Sequence, residues 1–126
     1  VHSFANQTQL IGRAGHDPEL LTLTDGTARS LLRLYQNGRS IGGNDHPQVH
    51  HLVAWSAVAR QLHARVRRGD RLLVQGKLLY RRFECKGLTQ VRAEIHVESF
   101  AVLDQRRQQD LSAVAEGLPS TYGRDE

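Results

Sequence analysis

From Val91 to Glu98 the chain alternates without a break. Val91, Ala93, Ile95 and Val97 fall on one parity, and Arg92, Glu94, His96 and Glu98 on the other. Successive side chains of an extended strand point to opposite faces, so this run reads as a strand with one dry face and one wet face. Beyond Ser99 the apolar residues move to Phe100 and Val102, a change of parity that predicts a bulge at that point. A strand dry on one side needs neighbours. The segment Arg71–Glu84 supplies a second long strand, and Cys85–Leu88, with Lys86-Gly87 at its centre, reads as the turn between them. Gly76 sits in the middle of the longer strand, where a missing side chain permits the sharp coiling of a barrel.

The remaining segments extend this pattern. Gln7–Arg13 begins as a strand and is broken by Gly12, Gly15 and Asp17-Pro18; a short extended piece, Leu20–Leu23, leads to a turn at Asp25-Gly26. Ala28–Tyr35 alternates again, with Leu32 and Leu34 opposed to Arg33 and Tyr35, and Val49–Trp55 resumes strand character after the Gly/Asn/Asp-rich stretch 36–48. Ser56 is placed to cap a helix whose apolar face is Val58, Leu62 and Val66, ended by Gly69-Asp70. The predicted fold is all-β: a five-stranded OB-type barrel with one short helix between its third and fourth strands. The barrel is expected to occupy residues 1–104, with 105–126 a polar tail, partly helical or disordered.

Charge narrows the function. The chain of 126 residues carries a formal charge of +4, but it is lopsided, with ten basic residues against two acidic ones between Arg60 and Arg92. Fifteen of the seventeen basic residues are arginine, whose planar guanidinium both bridges phosphate oxygens and stacks on bases, so a polyanion is the expected partner. No apolar run is long enough for a membrane span, and no membrane partner is expected. The single cysteine, Cys85, has no partner for an internal disulfide and reads as an ordinary turn residue in a reducing compartment.

Four motifs occur in order: LIGRAGHDPEL at Leu10–Leu20, Asp25-Gly26, HHLVAWSAVA at His50–Ala59 and RGDRLLVQGKL at Arg68–Leu78. In this order and spacing they resemble the bacterial and mitochondrial single-stranded DNA-binding protein family, over about residues 6–103. The resemblance implies sequence-independent coating of single-stranded DNA during replication, recombination and repair. It also implies a homo-oligomer, usually a tetramer with a dimer as the alternative, and a cytoplasmic, nucleoid-associated location or an organelle after removal of a transit peptide. Trp55 falls at a family aromatic position, Phe83 at the tryptophan position after a basic pair that is here Arg81-Arg82, and His50 at a histidine near a subunit interface. Two further family aromatics are missing: Val49 stands where a tryptophan is usual, and no aromatic occurs between Gln36 and Ala54. The stretch Tyr122–Glu126 also lacks the acidic tip ending in Pro-Phe through which family members recruit replication and repair proteins, which leaves those partners open.

The expected nucleic-acid contacts are therefore Trp55 and Phe83 as stacking platforms, with Tyr35 and Tyr80 as substitutes whose face parity leaves undecided, and Arg33, Arg68, Arg81, Arg82 and Arg92 on phosphates. No cofactor is expected. His46, His50 and His51 beside Asp45 invite a metal reading, but Pro47 excludes a helix there and His50 and His51 would point to opposite faces of a strand, so no metal site is expected. No carboxylate pair, nucleophile elbow or phosphate-binding loop marks an enzyme. The competing readings are an RNA-binding or primosome-accessory barrel of the same type and, more remotely, a metal-dependent hydrolase.

Overall fold

The computed structural model describes residues 5–37 and 46–105. The elements, in chain order, are β1 (Thr8–Ala14), β2 (Glu19–Thr22), β3 (Ala28–Asn37), β4 (Pro47–Trp55), α1 (Ser56–Arg65), β5 (Arg71–Cys85) and β6 (Leu88–Asp104). Hydrogen bonding runs β1-β5-β6-β4-β3, and a second pairing of β1 with β3, at Arg13–Tyr35 and Ala14–Leu34, closes these five strands into a ring. The expected five-stranded barrel is thus present. The extended piece before Asp25-Gly26 is a sixth, short strand, β2, that among the described residues pairs only with β3. The tail expected at 105–126 lies outside the described residues except for Gln105.

The core is the inward parity of each strand. Leu32 and Leu34 of β3, Leu52 and Ala54 of β4, Leu72 and Val74 of β5, and Ile95 and Val97 of β6 are all buried. Helix α1 adds Ala59 and Leu62, and Val66, one residue past its end, is also fully buried, while Val58 packs from the side. The predicted apolar face of the helix is the face that packs.

Its predicted cap is not. Trp55 occupies the capping position in extended conformation with no side-chain cap bond, and Ser56 is the first helical residue, with φ of 55°. Because β4 runs straight into α1 with no linker, Ser56 makes the corner with its own backbone. That left-handed conformation costs a non-glycine residue about 1 kcal/mol.

The bulge predicted near Ser99 is present. Gln75 pairs with Ser99 and Gly76 with Val97, leaving Glu98 as the extra residue. At Gly76 the strands approach so closely that a Cβ would fall onto the carbonyl of His96. The hairpin tip is a two-residue turn between Cys85 and Leu88 in which Lys86 and Gly87 have φ of 55° and 78°, the backbone that suits the twist of adjoining strands.

Candidate nucleic-acid interface

Alternation and register together decide which side chains share the barrel's outer surface. Arg33 of β3 pairs with His51 of β4, His51 with Glu94 of β6, and Glu94 with Leu79 of β5, so these positions and their i±2 neighbours form one outward face. On it lie Arg29, Arg33 and Tyr35, then His51 and Trp55, then Arg92, Glu94 and His96, then Arg81 and Phe83. In barrels of this type the ligand face is formed on the second and third barrel strands, here β3 and β4.

Glu94 is the centre of this face and is only 4% exposed. Arg81 Nε donates to its Oε2 at 2.8 Å, an Arg92 terminal nitrogen lies 3.6 Å from the same oxygen, and His96 Nε2 donates to Oε1 at 3.3 Å. Burial pushes the Glu94 carboxyl up. The Arg81 hydrogen bond and charge, His96 and Arg92 together outweigh it and hold the group below the usual carboxylate range. A carboxylate this enclosed stays because two hydrogen-bond donors and the nearby Arg92 guanidinium compensate its charge.

Each predicted aromatic platform is wired to that carboxylate. Arg81 and Arg92 both bring their guanidinium carbon 5.3 Å from the centroid of the half-buried Phe83 ring. Trp55 is 38% exposed, donates from its indole Nε1 to His96 Nδ1 at 3.1 Å, and has Arg29, its register partner on β3, 5.9 Å from its ring centroid. The side chains thus form one chain of contacts, Trp55–His96–Glu94–Arg81–Phe83. On the same face, His51 titrates below its ordinary range because of burial first and then the charges of Arg92 and Arg33.

The remaining expected contacts fall in three places. Arg33 is exposed on the face, and its backbone N–H donates to His16 Nε2 at 3.1 Å. Tyr35 shares that outward parity, but its ring lies against Gly15, half-buried, where a Cβ would collide with it. Tyr80 and Arg82 alternate to the opposite side of the β5–β6 hairpin, where Tyr80 is 69% exposed. Arg82 therefore does not share the face of Phe83, whereas Arg81 and, across the ladder, Arg92 do. Arg68 lies in the loop after α1, its backbone N–H bonded to Asp17 Oδ1 at 2.8 Å, and takes no part in the contacts of the Trp55–Phe83 network. His50, on the inward parity, donates from Nε2 to Gln36 Oε1 at 2.9 Å, and burial lowers its pKa.

Arg29, His51, Glu94 and His96 are not among the nucleic-acid contacts expected from the sequence. The alternation that marks Arg33 as outward also marks Arg29, and that of β6 marks Glu94 and His96. Their convergence depends on register, which alternation does not supply.

Residues 5–103 match the model of the Single-strand binding protein family. The chain belongs to that family. It is similar to the single-stranded DNA-binding protein of Thermosynechococcus vestitus, 31% identical over 89% of this chain and 93% of the relative. It is also similar to single-stranded DNA-binding protein 2 of Streptococcus agalactiae, 28% identical over 82% of this chain and 80% of the relative. Single-stranded DNA-binding protein 1 of Nostoc is likewise 28% identical, over 83% of this chain and 88% of the relative. The family match spans every strand of the barrel and the whole outward face, so the Trp55–Phe83 network lies within the family domain.

Proposed function

We propose that this chain binds single-stranded DNA without sequence preference, as a binding protein and not a catalyst, and shields it during replication, recombination and repair. The observation that carries the reading is the joining of two accessible aromatic rings, Trp55 and Phe83, by an Arg/His/Glu network on one face of a family barrel. Any base offers a π face to such rings, and a strand laid across them brings its phosphates past Arg29 and Arg33. Tyr80 and Arg82, on the far side of the hairpin, would serve only a strand that wraps the arm. Assembly as a homotetramer, with His50 near a subunit contact, and a cytoplasmic, nucleoid-associated location complete the proposal.

Trp55 is the only tryptophan, so its fluorescence reports directly on the proposed site. Titration with oligothymidylate should quench it, with an affinity that falls steeply as salt rises. Oligothymidylate should outcompete the matched RNA and duplex clearly. Trp55→Ala, followed by anisotropy of a labelled strand, should weaken binding roughly tenfold or more with the salt slope nearly intact. Absence of both quenching and salt dependence would overturn the reading, and preference for RNA would redirect it to an RNA-binding barrel.

A further inference from the structure

The contact between Trp55 and His96 is more specific than proximity. An indole N–H lies in the plane of its ring, and so does the lone pair on an imidazole nitrogen. A 3.1 Å bond from Trp55 Nε1 to His96 Nδ1, with only 25° between the ring planes, therefore sets the two rings edge to edge. Their centroid separation of 6.3 Å fits this side-by-side arrangement. His96 keeps part of its side chain exposed (25%), so both rings present surface on the outward face.

We propose that Trp55 and His96 act as one stacking platform, two rings wide, which holds together only while His96 is neutral with its proton on Nε2. The proposal rests on the single-strand-binding reading and names a further base-contacting residue within it. The tautomer follows from the partners. Nδ1 must be a bare acceptor to take the indole N–H, and Nε2 must carry the proton because Glu94 Oε1 can only accept. Adding a proton to Nδ1 sets two N–H groups against each other. The indole bond is lost, and Trp55 is released from the plane of its neighbour, while the bond to Glu94 survives with a full charge on the imidazole.

The charged surroundings are mixed. Glu94 and Glu98 approach from β6, Lys77 stands opposite on β5 and pairs with Glu98 at 3.9 Å, His51 lies on β4, and Arg29 reaches Trp55 from β3. Arg81 and Arg92 act through Glu94.

The free protein tests the contact without DNA. With one tryptophan there is one indole N–H cross-peak in a proton–nitrogen spectrum. Between pH 8.5 and 5.5 it should move along a single titration in the wild type and in His51→Gln, and stay fixed in His96→Asn, whose carbonyl can still accept the indole proton but cannot titrate. Oligothymidylate binding at high salt, where added charge counts for little, should weaken about fivefold across the same range in the wild type. In His96→Asn it should be pH-independent and about threefold weaker than wild type at pH 8, through loss of ring surface. A cross-peak that still titrates in His96→Asn, or a His96→Asn affinity equal to wild type at pH 8, overturns the platform. A wild type that shows the titration yet binds no oligothymidylate at pH 8 overturns the single-strand-binding reading and leaves the Trp55–His96 contact standing.

Discussion

Glu94 governs the face because it holds two of the arginines that a polyanion would seek. Arg81 and Arg92 are each engaged by its carboxylate, so a phosphate must compete with Glu94 for them. Glu94→Gln keeps the shape and removes the competing charge. The variant should bind single-stranded DNA with a steeper salt dependence, by about 0.7 in log–log slope for each phosphate contact recovered, measured by titration across a salt series. Its cost appears in stability against pH. The folded pKa of Glu94 lies below the unfolded reference of 4.5, so the wild type carries this stabilisation above pH 4.5 and loses it as pH falls through the lower folded value. Urea unfolding should show Glu94→Gln less stable at neutral pH, with the gap to wild type closing below pH 4.5. His50 and His51 act at a higher pH by the same linkage. Burial lowers both folded values from 6.5, so the unfolded chain takes up their protons first and stability falls as pH drops below 6.5. A His50→Gln/His51→Gln double variant should flatten that limb in the same unfolding series.

At the scale of elements, the β5–β6 hairpin carries Arg81, Phe83, Arg92, Glu94 and His96, and Gly76 fixes how its strands meet. A side chain there would press on the His96 carbonyl, beside the bulge at Glu98. Gly76→Ala should cost about 2–3 kcal/mol in urea unfolding and should also disturb the indole signal of Trp55, because the displaced backbone is that of His96. Much of this hairpin was legible in the sequence. Period-two alternation marks the strands, the parity change at Ser99 marks the bulge, and Lys86-Gly87 marks the turn, because each is set by local sterics and solvent. Which residues converge was not legible. Parity alone already separates Arg82 from Phe83, but bringing Arg92 to Phe83 needs the cross-strand register, which the bulge resets. Bringing His96 to Trp55 needs the parallel β4–β6 pairing that closes the ring, a contact between residues 41 apart in the chain. Ser56 misled for a different reason: a residue type suited to capping sits at a corner where the backbone itself must turn.

For the molecule as a whole, net charge is a poor guide to where a strand would lie. The basic excess between Arg60 and Arg92 is divided by the fold. Arg68 is set in the loop after α1 beside Asp17, Arg82 lies on the far side of the hairpin, and Arg81 and Arg92 are engaged by Glu94. Arg29 and Arg33, outside that segment, occupy the outward face beside Trp55 and His51. Long-range attraction depends on the total, since any cation within about a Debye length helps gather a polyanion. Counterion release instead depends on cations that touch phosphate. The two contributions separate in a pair of variants with identical net charge. Arg33→Gln should reduce the slope of log affinity against log salt by about 0.7, the value for one single-strand phosphate contact. Arg68→Gln should slow association at low salt to a similar extent while leaving the equilibrium slope unchanged. Stopped-flow quenching of Trp55 gives the association rate and the salt series the slope. Equal slopes for the two variants would mean that the strand reaches the loop after α1 and does not stay on the Trp55–Phe83 face.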